Sequence, residues 1–219
     1  MLESLGVRID LPPPDFKRCI QEVGCGFMFA PFYHPAFKAI APVRKTLAAE
    51  GTPTIFNLLG PILNPARPHY QLVGVYSKTA LPKFAGVLKQ LGRHRAWAVH
   101  GDAGNGLGMD ELSTLGINDV CSVDGSEISA HRMDPRALGM EPAPLSSLRG
   151  GDCATNAQIL VEVLRGAPGP KRDIVLLNAA AGFVVAGLAK DLEAGLALAA
   201  EQIDSGSSLE KLKALQDFR

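Results

Sequence analysis

Apolar residues recur along the chain in two rhythms, and the change between them falls near Tyr70. Before it the spacing is helical. Pro12–Pro14, Asp15 and the apolar positions Phe16, Ile20 and Val23 predict a short helix closed by Gly24. The run GFMFAPFY, Gly26–Tyr33, is apolar and aromatic and is expected to be buried. His34-Pro35 opens another helix, on which Phe37, Ile40, Ala41 and Arg44 share a face, with Pro42 bending it from inside. A loop is expected over Ala48–Pro53, a helical turn over Thr54–Gly60, and a proline-rich crossing to Pro68.

After Tyr70 strands and helices alternate. Gln71–Tyr76 reads as a strand, Thr79–Leu91 as a helix with Leu81, Phe84, Val87, Leu88 and Leu91 inward, and Arg95–Val99 as the next strand. This β-α-β order predicts an α/β fold with a central, mostly parallel sheet flanked by helices. Val120–Val123 and Glu127–Met133 are shorter strands around the turn Asp124-Gly125. Asp152 is placed to cap a helix running to Leu164. Lys171–Ala189, Leu192–Ile203 and Ser208–Phe218 complete the chain as helices. The opening, Met1–Val7, reads as the end of a helix running into Gly6, which predicts a chain that begins inside a larger fold.

Composition changes this picture little. A chain of 219 residues with 47% hydrophobic content supports one sizeable core and a smaller appendage. Twenty-two basic and 22 acidic residues give zero formal charge, so nucleic acid is not an expected partner. Cys19, Cys25, Cys121 and Cys153 show no metal-ligand spacing and read as reduced thiols, which points to the cytoplasm. No apolar run has membrane-spanning length.

The candidate chemistry lies in AWAVHGDAGNGLGMDELST, Ala96–Thr114. A strand ends at His100-Gly101, a glycine-rich loop follows, and Asp110 and Glu111 stand side by side after it. Ligands of open α/β sheets sit beyond the carboxyl ends of strands. Two adjacent carboxylates there suit Mg2+, which takes one or two protein carboxylates and completes its shell with water and phosphate. An ordinary acidic turn has the same pattern, and the two readings stay open on spacing alone.

Several separated stretches resemble the anthranilate phosphoribosyltransferases. They are FMFAPFYHPAFKAIAPVRKTL (Phe27–Leu47), TIFNLLGPILNPARP (Thr54–Pro68), VHG (Val99–Gly101) with MDELST (Met109–Thr114), RDIVLLNAAAGFVVAGLA (Arg172–Ala189) and IDSG (Ile203–Gly206). The resemblance implies a small all-α domain, of which residues 1–62 are the remnant helices, joined to an α/β portion over 63–219. It implies transfer of the phosphoribosyl group from phosphoribosyl pyrophosphate to the amine of anthranilate in tryptophan biosynthesis, by a cytoplasmic enzyme that is a homodimer at full length. It also implies Mg2+ on Asp110 and Glu111, with Arg44 on the anthranilate carboxylate and His34, Phe37, Gly60 and Pro61 lining the aromatic channel. No side chain is singled out as a catalytic acid or base, and His100 is expected to hold the loop by hydrogen bonds.

Two other readings share the architecture. A pyrimidine nucleoside phosphorylase-like enzyme fits the Arg44 helix and TIFNLLGP less well, and a noncatalytic nucleic-acid-binding relative needs a basic stripe that the charge balance does not offer. The family's GTGGD loop, its N-x-S/T segment and its K-H-G-N segment do not occur in the sequence, and Gly150-Gly151-Asp152 lies in the wrong part of the chain to replace the first. The expectation is therefore a truncated, carboxyl-terminal portion that is inactive alone. The stretches 102–109 and 48–53 are also longer than the family pattern.

Overall fold

The computed structural model describes residues 1–50, 56–104 and 106–219, without the side chains of 36–39, 41, 44, 48 and 56–58. It divides into two compact units: Met1–Arg67 with Asp152–Gln158 and Leu209–Arg219, and Pro68–Gly151 with Ile159–Ser208.

In the first unit, α1 (Pro13–Val23) starts on prolines, which lack the amide donor that a first turn cannot use. It stops at Gly24, whose φ of 87° is a left-handed cap. Its inner face buries Cys19 and Val23 against Leu11 and Phe218. Arg18 lies over the Phe218 ring, 4.9 Å from its centre. Gln216 of α9 (Ser207–Asp217) donates to the Leu5 carbonyl at 2.6 Å, so the chain's last helix is tied to its first turn. Short α2 (Ala30–Tyr33) follows, and the Tyr33 hydroxyl donates to the Leu11 carbonyl at 2.8 Å. The run Gly26–Tyr33 is not buried as expected: Phe27 is 42% and Phe32 54% exposed. Hydrophobicity records what would gain from burial, and among the described residues these rings are left exposed. Pro42 lies inside α3 (Ala36–Ala49) and Pro61 inside α4 (Phe56–Ile62). The loop expected at Ala48–Pro53 gives way to helix as far as Ala49, and residues 51–53 lie outside the described residues.

The second unit holds the sheet. Strand β1 (Tyr70–Gly74) is parallel to β2 (Arg95–Gly104), and α5 (Leu81–Gln90) makes the crossover. β2 then pairs antiparallel with β4 (Asn118–Asp124), and β4 with β5 (Glu127–Met133) across a turn at Gly125, whose φ is 56°. Short β3 (Leu107–Met109) pairs only with the end of β2. The α/β class and the central sheet flanked by helices are as expected, but the pairing is not mostly parallel. Among the described residues only β1–β2 runs parallel. A parallel crossover needs a dozen or more residues; the links from β2 to β3 and from β4 to β5 are two residues long, and the stretch from β2 to β4 is partly taken up by β3, which returns along β2.

Each face of the sheet has its own helix. Leu81, Phe84, Ala85 and Leu88 of α5 are buried on β2 and β4, whereas Leu91 is 44% exposed. On the opposite face Val99, Val120 and Leu112 pack with Leu177 and Ala181 of α7 (Pro170–Val185). Full burial of one such leucine is worth about 1.5–3 kcal/mol. Helix α8 (Leu192–Asp204), capped by the Asp191 carboxylate on the Ala194 amide at 2.9 Å, lies along α7. Helix α6 (Cys153–Leu164) has the expected cap: Asp152 accepts from the Thr155 amide at 2.8 Å. No described helix is long and apolar enough to cross a membrane.

Candidate active site

The acid pair follows directly from the end of β3, the strand that returns along the end of β2. The stretch read as a flexible glycine loop is a hairpin: β2 continues to Gly104, and β3 returns with Met109 opposite Gly101 and Gly108 opposite Asp102. Gly104 and Gly106 make the turn with φ of 81° and 75°. The Asp102 carboxylate accepts from the Gly104 amide at 2.7 Å. β3 ends at Met109, and the backbone bends at Asp110 and Glu111.

The other glycines nearby serve close packing. A Cβ on Gly74, the last residue of β1, would lie 1.4 Å from the Asp110 carbonyl oxygen. One on Gly101 would lie 2.5 Å from the Glu111 carbonyl oxygen, and one on Gly108 would lie 2.2 Å from the His100 ring. Both acids therefore rest their backbones on glycines of neighbouring strands, where any side chain would displace them.

Side chains hold the same segment from above. His100 Nδ1 is 2.7 Å from the Val75 carbonyl and ties the hairpin base to the end of β1, the structural part expected of it. Leu112, fully buried, donates its amide to Asn178 Oδ1 at 2.9 Å, and Asn178 Nδ2 donates to the Leu112 carbonyl at 2.8 Å. Buried Asn118 makes the same paired bond one residue on, accepting from the Ser113 amide at 2.6 Å and donating to the Ser113 carbonyl at 2.9 Å. Sequence reading missed both asparagines. The available signal was Asn178 inside an apolar helical run, since a polar group in such a place needs partners.

Asp110 and Glu111 themselves are exposed. Local desolvation nevertheless pushes the Glu111 carboxyl up from its ordinary pKa, and the Asp110 charge beside it adds to the rise. Two carboxylates that repel one another in open solvent invite a cation. Among the described residues no three His, Cys, Asp or Glu side chains gather as a protein cage. The donor set therefore fits a hard, largely hydrated ion such as Mg2+, and does not fit zinc or a fully protein-ligated calcium.

The remaining expected site residues belong to the first unit. His34 ends α2 and its amide donates to the Ala30 carbonyl at 2.9 Å. Gly60 and Pro61 lie in the last half of α4, with Gly60 exposed. Phe37 and Arg44 stand on α3, seven positions and so two turns apart, while their side chains lie outside the described residues.

An α/β unit with two exposed carboxylates just past a strand's carboxyl end has them at the edge where open α/β sheets take their ligands. The family described as the a/b domain of the glycosyl transferase family matches residues 1–209, and the chain belongs to it. It is 46% identical over 215 residues to an anthranilate phosphoribosyltransferase of Rhodopseudomonas palustris, covering 98% of this chain and 62% of that protein. It is 48% identical over 218 residues to one of Mesorhizobium japonicum, covering 100% of this chain and 62% of that protein. The crystal structure of anthranilate phosphoribosyltransferase from Thermus thermophilus superimposes with a TM-score of 0.89 at 40% identity, over 99% of this chain and 62% of that one. The Saccharomyces cerevisiae enzyme in complex with phosphoribosyl pyrophosphate and Mg gives 0.83 at 28% identity, over 99% of this chain and 60% of that one. The chain thus spans about three fifths of the length of these relatives.

Proposed function

We propose that the protein serves transfer of the phosphoribosyl group from phosphoribosyl pyrophosphate to the amine of anthranilate, a step of tryptophan biosynthesis. The observation that carries this reading is the rigidly seated acid pair, in a chain similar to enzymes of that name over nearly its whole length. Asp110 and Glu111 would hold Mg2+, which supplies charge neutralisation of the departing pyrophosphate. Their part is to keep negative oxygens at one fixed point, so that no reorganisation is needed as charge develops on the leaving group. Arg44 would grip the anthranilate carboxylate through its planar fork. His34, Phe37, Gly60 and Pro61 would wall the channel that admits the ring. An aromatic amine is already a nucleophile, so orientation of the two substrates does the remaining work and no general base is assigned.

Residues 1–62 are read as helices of a small substrate-gripping domain, and the full-length protein as a cytoplasmic homodimer. The test is fluorescence of anthranilate with phosphoribosyl pyrophosphate and Mg2+, using the product of the complete reading frame that carries this chain. Consumption that requires all three components is the expected result. Absence of consumption by a folded protein would overturn the reading. Arg44→Ala should raise the KM for anthranilate by roughly 10- to 100-fold, as loss of a charge-assisted pair does. Asp110→Ala with Glu111→Ala should lower kcat by about 100-fold or more.

A further inference from the structure

We infer that Asn178, which belongs to α7 and is 66 residues from the acid segment in sequence, is a positioning residue for the metal-binding pair. The inference rests on the reading of Asp110 and Glu111 as cation ligands. The side-chain amide of Asn178 meets the Leu112 peptide as a neighbouring strand would: it accepts from the amide at 2.9 Å and donates to the carbonyl at 2.8 Å. Its second donor proton goes to the Ile174 carbonyl of its own helix at 3.0 Å, which locks the rotamer. The residue so held is the one directly after Glu111, and its side chain is fully buried among Val99, Val120, Leu177 and Ala181.

On the other side, the backbones of Asp110 and Glu111 press on Gly74 and Gly101. Glycine seats prevent motion toward the sheet but do not resist motion away from it. The Asn178 clamp supplies the missing restraint. Without it the peptide after Glu111 loses both partners inside an apolar layer, and the segment can lift, parting the two carboxylates. A leucine at this position would match the apolar neighbours but would leave both polar groups of the Leu112 peptide without these partners; what the amide adds is the hold on one specific peptide.

The test is a titration of the complete chain with Mn2+ alone, followed by water-proton relaxation. Asp110→Asn with Glu111→Gln should abolish the bound signal. Asn178→Leu should weaken Mn2+ binding about 10-fold, the usual cost of removing an outer-shell partner. Leu88→Ala, a core truncation under the opposite face of the sheet, should lower the thermal midpoint and leave Mn2+ affinity unchanged. If Asn178→Leu does not fold, Asn178→Ser removes the clamp with a smaller side chain. Unchanged affinity in the Asn178 variant, with the double acid variant silent, overturns the inference alone. An equal weakening by Leu88→Ala also overturns it, by showing a general loss of stability. Mn2+ binding retained by the double acid variant overturns both the inference and the reading beneath it.

Discussion

Glu111 shows the tension of the site in a single side chain. Its carboxyl is partly desolvated and faces the Asp110 charge, so its folded pKa stands above the ordinary value. An acid with a raised folded pKa contributes stability that is fully present below its unfolded pKa and is lost as pH rises through the folded one. At neutral pH without metal the charged pair therefore works against the fold. Glu111→Gln should raise the thermal midpoint at pH 7.5 in chelator, and should change it little near pH 4. Thermal unfolding at the two pH values measures this, and an equal effect at both would refute it. Gly74 is the opposite case, a residue whose role is to be absent. Gly74→Ala would place a methyl 1.4 Å from a backbone oxygen that cannot swing aside, and should cost roughly 1–3 kcal/mol or more in denaturant titrations.

At the level of elements, helix packing sets one rule against another. Gly195 lies in the first turns of α8, where alanine would gain about 1 kcal/mol of helix propensity. A Cβ there would lie 2.7 Å from the Ala180 carbonyl of α7, and backbone gives way less easily than a side chain. The clash should win, and Gly195→Ala should lower stability by about 1–2 kcal/mol, read from the denaturant midpoint. Elements were also where the sequence was most legible. Gly24, Gly125 and Asp152 mark a helix stop, a hairpin and a helix start by local chemistry, and all three act as expected. What could not be read was partnership. The turn at Asp124-Gly125 located β4 and β5 but could not fix the direction in which β2 meets β4, since that depends on the path of the connection and on which edge stands free. Asp110 and Glu111 were visible as residues, and the clamp that seats them was not, because Asn178 and Leu112 meet only in the folded chain.

On the scale of the whole molecule, the two units have separate cores, one around Leu11, Cys19, Val23 and Phe218, the other around Val99, Leu112 and Leu177. The rings of Phe27 and Phe32 stand exposed beside the first, with Phe27 stacked on Phe29 at 6.4 Å. Exposed aromatic surface of this kind favours association in water. Phe27→Ser with Phe32→Ser should reduce concentration-dependent self-association in sedimentation, with little change in the thermal midpoint because neither ring fills a core. The same scale sets the bounds of the functional reading. The acid pair lies in one unit and Arg44 in the other, so each proposed role can be titrated by its own ligand.

The β2–β3 hairpin has a further use. A two-stranded ribbon stores chain length without moving its feet: Gly101 and Met109 stay opposite one another however far the tip extends. A long 102–109 stretch, as the resemblance implies, is therefore compatible with fixed acids at 110 and 111. It also makes the tip a place for grafting. A small dye attached through Gly106→Cys would sit in the turn just before β3, the strand that leads into the acid segment. Because the feet stay paired, such a label leaves Gly101 and Met109 opposite one another and the seat of the acids unchanged.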